Sequence, residues 1–179
     1  PEIAVFVDEK LYQRQGTEHK SSLAYYEIRN SLGSSGLAFD HYLLGDFKVC
    51  YKNYKAVIFP AALSSSELAE ATELCDKAGI PYLCGSMEKW EFTPKELRDF
   101  GAEAEVHVFC NSDDAICVGN SLLSIHSATA GEKIINLPKI ATIKNLEAEA
   151  YIRAKFEVVI TSADGSVMEL SPETLASII

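Results

Sequence analysis

The sequence predicts an α/β fold, in which a flavodoxin-like, doubly wound and mostly parallel sheet is followed by a small β-rich C-terminal part. Strand and helix signals alternate through roughly the first 110 residues, as they do where helices cover both faces of a parallel sheet. Beyond residue 111 short β-prone runs follow one another and helical periodicity is largely lost. We therefore expect an α/β domain at residues 1–111 and a β-rich extension at residues 112–179.

The strands of the α/β domain are predicted from continuous apolar runs. Such runs indicate strands that are buried on both faces, as in a parallel sheet. Because strand–helix–strand units cross over right-handed, few topologies are open to them. The five runs are residues 3–7, 40–44, 55–60, 80–84 and 106–110.

Capping residues mark the predicted helices. Residues 21–32 carry apolar side chains at helical spacing and end in a Gly-Ser-Ser-Gly turn. Ser64 and Glu67 form a capping box at the start of a second helix, and Gly79 is placed to end that helix. The sequence Thr-Pro-Lys-Glu at 93–96 predicts the start of a third helix, with proline at its favoured first position.

Six short β-prone runs predict the strands of the C-terminal part. The Asp-Gly pair at 164–165 lies between the last two runs and suits the tight turn of a hairpin. The runs are residues 115–118, 122–126, 133–137, 141–144, 156–161 and 166–170.

The composition limits the partners and the compartment. The net charge is −10 and the 16 basic residues are scattered, whereas nucleic acid and anionic membranes require clustered Lys and Arg. No apolar stretch reaches the roughly 18 residues of a membrane span. We expect neither nucleic acid nor a membrane as partner. The five cysteines contain no C-x-x-C pair and are predicted to be buried free thiols, which favours the cytoplasm. The chain begins at Pro1 without a methionine, and a predicted core strand follows at residues 3–7. We therefore expect a fragment whose targeting signal, if any, lies upstream.

Four acidic residues are candidates for lining a functional crevice. Ligands of open α/β sheets bind beyond the carboxyl ends of the strands. Asp8 and Glu9 follow the first predicted strand, and Asp113 and Asp114 follow the fifth. These acids could hold a cation, although paired surface acids are more commonly solvated turns.

Cys84 is the candidate nucleophile, because it ends the fourth predicted strand and precedes a glycine. A reactive thiol needs a base, for which His126 is the candidate, and a helix N-terminus that lowers the thiol pKa. Residues 85–90 are instead typical of a loop, and His126 lies in a strand-like run. We therefore favour a buried Cys84 and assign no catalytic residue.

No cofactor or metal site is predicted. The sequence contains neither G-x-G-x-x-G nor G-x-x-x-x-G-K-[ST]. Acidic side chains follow the first strand, where a phosphate would need backbone NH groups. No metal-ligand spacing relates the four histidines, which are His19, His41, His107 and His126.

Several segments resemble the beta-galactosidase trimerisation domain, which is similar to class I glutamine amidotransferases. Residues 3–10 resemble the opening strand of that domain, and residues 42–46 and 54–60 resemble its second and third strands. The run at 106–138, with Gly-Asn-Ser-Leu-Leu-Ser-Ile-His-Ser-Ala-Thr-Ala-Gly-Glu-Lys at its centre, resembles a β-rich segment that follows such domains in large bacterial proteins related to glycoside hydrolases.

The resemblance implies an amidotransferase-like fold that has lost the amidotransferase catalytic set. In the family this domain follows a catalytic barrel and contributes to trimer contacts, while two carboxylates on the barrel hydrolyse the substrate. A (β/α)₈ barrel needs about 250 residues, so no catalytic residue carries over to this chain. The implied partners are the catalytic barrel of the parent chain and further copies in a homotrimer.

Three functions are open at the level of sequence. The first is a non-catalytic accessory and oligomerisation domain of a larger glycoside hydrolase-like protein that acts on carbohydrate. The second is a small thiol-dependent hydrolase or amidotransferase-like enzyme that uses Cys84. The third is a carbohydrate-binding module, in which Trp90 and the eight tyrosines would stack on sugar rings.

Overall fold

The computed structural model describes residues 1–8, 28–60, 66–86, 89, 91–139, 141–144, 151–154, 157–162 and 168–170, with the backbone alone after residue 140. At the centre lies a four-stranded parallel sheet in the order β2-β1-β3-β4. These strands confirm the first four predicted ones, with their ends shifted by one or two residues. They are β1 Ile3–Val7, β2 Phe39–Leu43, β3 Ala56–Phe59 and β4 Tyr82–Cys84.

β1 lies inside the sheet, paired on both sides. Ile3 is opposite Phe39 of β2 and also opposite Ala56 of β3. The side chains of β1 and β3 are buried, apart from the half-buried Val7 at the end of β1. The continuous apolar runs therefore do mark strands that are covered on both faces.

Helices lie on both faces of this sheet, and each face has its own apolar core. Successive side chains of a strand point to opposite faces, so Ile3 and Val5 enter the first core while Ala4 and Phe6 enter the second. Residues from α1 and α4 pack in the first core, and residues from α2 and α3 in the second. The helices are α1 at 28–33, α2 Phe47–Cys50, α3 Ser66–Ala78 and α4 Pro94–Glu103.

The ends of two helices follow the predicted capping residues. At the start of α4, Glu96 N donates to Thr93 Oγ1 at 3.2 Å and Thr93 N donates to Glu96 Oε2 at 2.8 Å, which is the expected capping box. α3 ends at Ala78 and is followed by Gly79. The φ of +66° at Gly79 suits the residue after a helix C-terminus. Ser64 and the first seven residues of the helix predicted at 21–32 lie outside the described residues.

The fifth predicted strand is wrong. Residues 106–110 do not join the parallel sheet but pass its amino edge, where the chain enters β1 and β3. His107 N donates to Glu2 Oε2 at 2.7 Å. Lys55 Nζ contacts Glu2 Oε1 at 2.6 Å and donates to the carbonyl oxygen of Glu105 at 2.8 Å. These contacts hold the segment away from the sheet edge beside β4.

The same segment lies directly against the turn that precedes β2. Phe109 N donates to the Gly36 carbonyl oxygen at 2.8 Å, and an isolated antiparallel bridge joins Val108 to Leu37. Gly36 has a φ of +75°, and a Cβ atom at this position would lie 1.9 Å from the carbonyl oxygen of Cys110. Glycine is therefore required at residue 36 both by the backbone conformation and by the close approach.

The C-terminal part is built from short antiparallel strands. Six of them lie at or near the predicted places, whereas the strand Tyr151–Ala154 was not predicted. β5 and β6 form a hairpin, β7 pairs with β10 and β10 with β11, and β8 pairs with β9. The residues of the predicted turn at 164–165 lie outside the described ones. The strands are β5 Ala115–Gly119, β6 Leu122–His126, β7 Gly131–Asn136, β8 Ala141–Lys144, β9 Tyr151–Ala154, β10 Glu157–Ser162 and β11 Met168–Leu170.

A third, smaller core lies under β5, β6 and β7. Its buried members are Cys110, Ile116 and Ile135, and Phe109 is among the half-buried side chains that pack on it. Because Cys110 and Phe109 precede residue 112, this core is shared across the boundary predicted from composition.

We predict that Gly36→Ala lowers the free energy of unfolding by roughly 2–5 kcal/mol, because it adds left-handed backbone strain and a clash with Cys110. The matched control is Gly79→Ala, which has the same sign of φ but no atom within 4 Å of its added Cβ. The control is expected to cost about 1–2 kcal/mol. Chemical denaturation of both variants measures the difference, and equal losses would contradict the importance of the close approach.

Candidate functional site

A polar cluster in the described part of the chain surrounds a buried ion pair. Asp114, just before β5, is 1% exposed, and Lys133 of β7 is 5% exposed. Lys133 Nζ lies 3.1 Å from Asp114 Oδ2 and 3.3 Å from Oδ1. Charged groups are rarely buried to this extent without a partner, because removing each from water is costly.

Further hydrogen bonds complete the coordination of both charges. Ser112 Oγ donates to Asp114 Oδ2 at 2.5 Å, and Ala128 N donates to Oδ1 at 2.8 Å. Lys133 Nζ also donates to Thr129 Oγ1 at 2.9 Å. The pair therefore fixes the turn between β6 and β7 as well as the entry to β5.

The electrostatics of the cluster keep Asp114 ionised. Burial by itself raises the pKa of this carboxyl group. Hydrogen bonds from Ser112, from Ala128 N and from Lys133, together with the charge of Lys133, act in the opposite direction, and the resulting pKa is lowered. An ionised carboxylate is thus stable at neutral pH in spite of its burial.

The thiol of Cys110 extends this network into the third core. Cys110 Sγ lies 2.7 Å from Ser112 Oγ. Because the single hydroxyl proton of Ser112 is donated to Asp114, we assign the thiol as donor to Ser112. The buried ends of the network are internally paired, so its chemistry is that of a structural support.

Cys84 lies at the end of β4, as predicted, but its environment is not that of a nucleophile. The side chain is half-buried and packs on the second core, which also contains Cys75. Burial raises the pKa of the Cys84 thiol to about 11. Gly85 N donates to the Phe59 carbonyl oxygen and Ser86 N to that of Lys89, and neither Gly85 nor Ser86 is helical.

His126, the candidate base, lies in a different part of the molecule. It is the exposed last residue of β6 and is paired with Ala115 of β5. The strands of this hairpin pack on the third core, whereas Cys84 packs on the second. The contacts of the described residues do not join the two candidates.

The three acidic candidates that lie among the described residues do not meet in one crevice. Asp8 follows β1 at the carboxyl edge of the sheet, and Glu9 lies outside the described residues. Asp113 Oδ1 binds Arg98 Nη2 of α4 at 2.8 Å, and Asp114 belongs to the buried cluster. Asp113 and Asp114 were expected at the carboxyl edge, but 106–110 passes the amino edge and brings them to that side of the sheet.

The described residues hold no metal-ligand cluster, no disulfide and no membrane-spanning helix. Among these residues no group of three or more His, Cys, Asp or Glu side chains could hold a metal ion. All five cysteines are free, but only two of them are buried as predicted. Cys75 and Cys110 are buried, Cys50 and Cys84 half-buried and Cys117 exposed. None of the described helices is both long enough and apolar enough to span a membrane.

The sequence contains one signal for the burial of Lys133. Side chains alternate between the faces of a strand, so Lys133 and Ile135 of β7 must share a face. Because Ile135 is a core residue, the alternation places the lysine in the core. The residue that compensates its charge could not be found in this way, because Asp114 lies 19 residues away.

We predict that Asp114→Asn lowers the free energy of unfolding by about 3–5 kcal/mol, because it leaves the Lys133 charge buried without a counter-ion. The matched control is Asp113→Asn, the same substitution at the exposed neighbouring residue. Losing the Asp113–Arg98 pair is expected to cost no more than about 1 kcal/mol. Denaturant unfolding of both variants provides the comparison, and similar losses would contradict a special role of the buried pair.

The cost of Asp114→Asn is also expected to depend on pH. Because the pKa of Asp114 is lowered in the folded state, its contribution is fully present above the unfolded value of about 3.9. That contribution is lost as the pH falls through the lower folded value. Unfolding free energies from pH 7 down to about pH 2 should show the gap between wild type and variant closing. A gap that stays constant would show that charge does not cause it.

We predict that iodoacetamide alkylates Cys84 at least about a hundredfold more slowly at pH 8 than a free cysteine, because little thiolate exists at that pH. Cys117 is exposed and is the internal control, expected to be labelled first. Peptide mapping by mass spectrometry after timed labelling separates the two residues. Faster labelling of Cys84 than of Cys117 would revive the thiol-enzyme hypothesis.

Comparisons with known proteins give no assignment. No protein-family model matches the chain. No curated protein and no solved structure matches it either.

Proposed function

We propose that this chain is a non-catalytic accessory domain through which a larger carbohydrate-active protein assembles. The observation that carries the proposal is the exposure of branched apolar side chains on β6 and β7. Leu122 is 59%, Leu123 38% and Ile134 49% exposed. A contiguous group of exposed apolar side chains commonly marks a surface where another protein binds, and Leu122 and Leu123 are consecutive in the chain.

The end of the β5–β6 hairpin offers apolar contacts on both of its faces. Leu122 and Leu123 are consecutive residues of a strand, so their side chains point to opposite faces. The hairpin turns at Asn120 and Ser121, which both have positive φ, as in the favoured two-residue turns. A partner surface that receives the end of this hairpin would bury both leucines at once.

The strand order supports a flavodoxin-like, amidotransferase-type α/β part. β2-β1-β3-β4, all parallel, matches four strands of the flavodoxin-like order, and helices lie on both faces. The segments that resemble the beta-galactosidase trimerisation domain include β1, part of β2 and β3. By that resemblance we propose the catalytic barrel of the parent chain and two further copies of this chain as partners.

The other two functions gain less support from the described residues. The raised pKa of Cys84 is the reverse of the change that a thiol nucleophile requires. The aromatic side chains of described burial are all buried or half-buried, so stacking on a sugar would need them to rearrange. Trp90 lies outside the described residues.

We predict a concentration-dependent trimer of the full chain by light scattering. The double variant Leu122→Ser, Leu123→Ser should weaken this association about tenfold or more, because central apolar contacts dominate the energetics of interfaces. The matched control is Val49→Ser, an 86% exposed apolar residue on α2, which should leave the association unchanged. Circular dichroism confirms that each variant is folded.

Two outcomes would contradict the proposal. One is a monomer at every concentration, both for the chain alone and for the chain mixed with the parent barrel. The other is equal weakening by the Val49 control, because assembly would then not depend on the hairpin.

A further inference from the structure

Residues 106–110 belong to two cores at the same time. Val106 is buried in the first core, with Ile3 and Leu97. Four residues later Cys110 is buried in the third core, with Ile116 of β5. Independent domains are usually separated by an exposed linker that few contacts cross. The three residues between Val106 and Cys110 are too few for such a linker.

Backbone hydrogen bonds continue through the same segment from one part to the other. On one side, Phe109 N donates to the Gly36 carbonyl oxygen at 2.8 Å. On the other side, Asn136 N at the end of β7 donates to the Phe109 carbonyl oxygen at 2.7 Å. The Asn136 side-chain amide also donates to the Val108 carbonyl oxygen at 3.4 Å.

Side chains strengthen both connections. The His107 ring nitrogen Nε2 lies 3.0 Å from the Asn136 carbonyl oxygen, and since a carbonyl oxygen only accepts, Nε2 carries the proton. The backbone N–H of the same histidine is bound by Glu2, before β1.

We infer that residues 106–110 join the parallel sheet and strands β5 to β7 into one cooperative folding unit. Opening β5 to β7 moves Asn136 away from the Phe109 carbonyl oxygen and exposes Cys110. Val106, four residues earlier, would still be held in the first core. The boundary between units that unfold separately therefore does not fall at residue 111. This inference is independent of the proposed assembly.

The inference has a functional consequence. A ligand that binds only the folded state stabilises the whole cooperative unit by the same free energy. A partner that binds any part of β5 to β7 would therefore stabilise β1 and β3 equally, although it touches neither strand.

Native-state hydrogen exchange of the full chain tests the coupling, with Asp114→Asn as the perturbation. Among the described residues, the hydrogen-bond partners of Asp114 all belong to the β-rich part and its approach. We expect the amides of β5 and β7, and equally those of β1 and β3, to exchange roughly a hundredfold faster or more. The control Asp113→Asn should change both sets by less than about fivefold. Acceleration in β1 and β3 of less than half that in β5 and β7, on a logarithmic scale, overturns the inference.

A second variant perturbs the unit from the other side and keeps the test valid if Asp114→Asn does not fold. Thr93→Ala removes the N-cap of α4 and should accelerate exchange in β1 and β3 about fivefold. Cooperativity requires the same factor for β5 and β7. Unchanged exchange in β5 and β7 would show that the two parts unfold separately.

Discussion

The close contact between Gly36 and residues 109–110 is the constraint on which the rest of the structure depends. It is possible only because residue 36 has no side chain and adopts a left-handed conformation. The contact draws 106–110 to the amino edge of the sheet, which leaves the described sheet with four strands. It also delivers Cys110 to the third core, on which β5, β6 and β7 pack.

The first four strands and the capped helix at 93–96 could be predicted because each has a local cause. A continuous apolar run must be buried, and a capping box satisfies the backbone of its own first turn. The prediction of a fifth strand was wrong although it rested on the same kind of evidence as the other four. Apart from His107, residues 106–110 are apolar like those of β1, but apolarity requires burial without specifying the partner. Here two different cores bury the segment, and neither can be identified from its own residues.

The sequence was more informative about Cys84 than about the ion pair. A thiol followed by a loop has nothing to lower its pKa, and the structure adds the burial that raises it. Asp114 was predicted as one half of an acidic pair at the carboxyl edge of the sheet, where such pairs are commonly solvated. Its environment depends on Lys133, Ser112 and the turn after β6, which only the folded chain brings together. Long-range compensation of charge is therefore the part of this site that local patterns could not supply.

The burial of Lys133 also determines how β7 is aligned with its neighbour. In the observed pairing Lys133 lies opposite Ile160 and Ile134 opposite Val159 of β10. A shift of one residue would turn Ile135 outward and place Ile134 on the inner face in its stead. Because both residues are isoleucine, apolar burial alone hardly distinguishes the two alignments. The shift would, however, turn the ammonium group outward and leave Asp114 buried without its counter-ion, at a cost of several kcal/mol. Lys133, a charged residue in a largely apolar strand, thus disfavours the shifted pairing of β7 with β10.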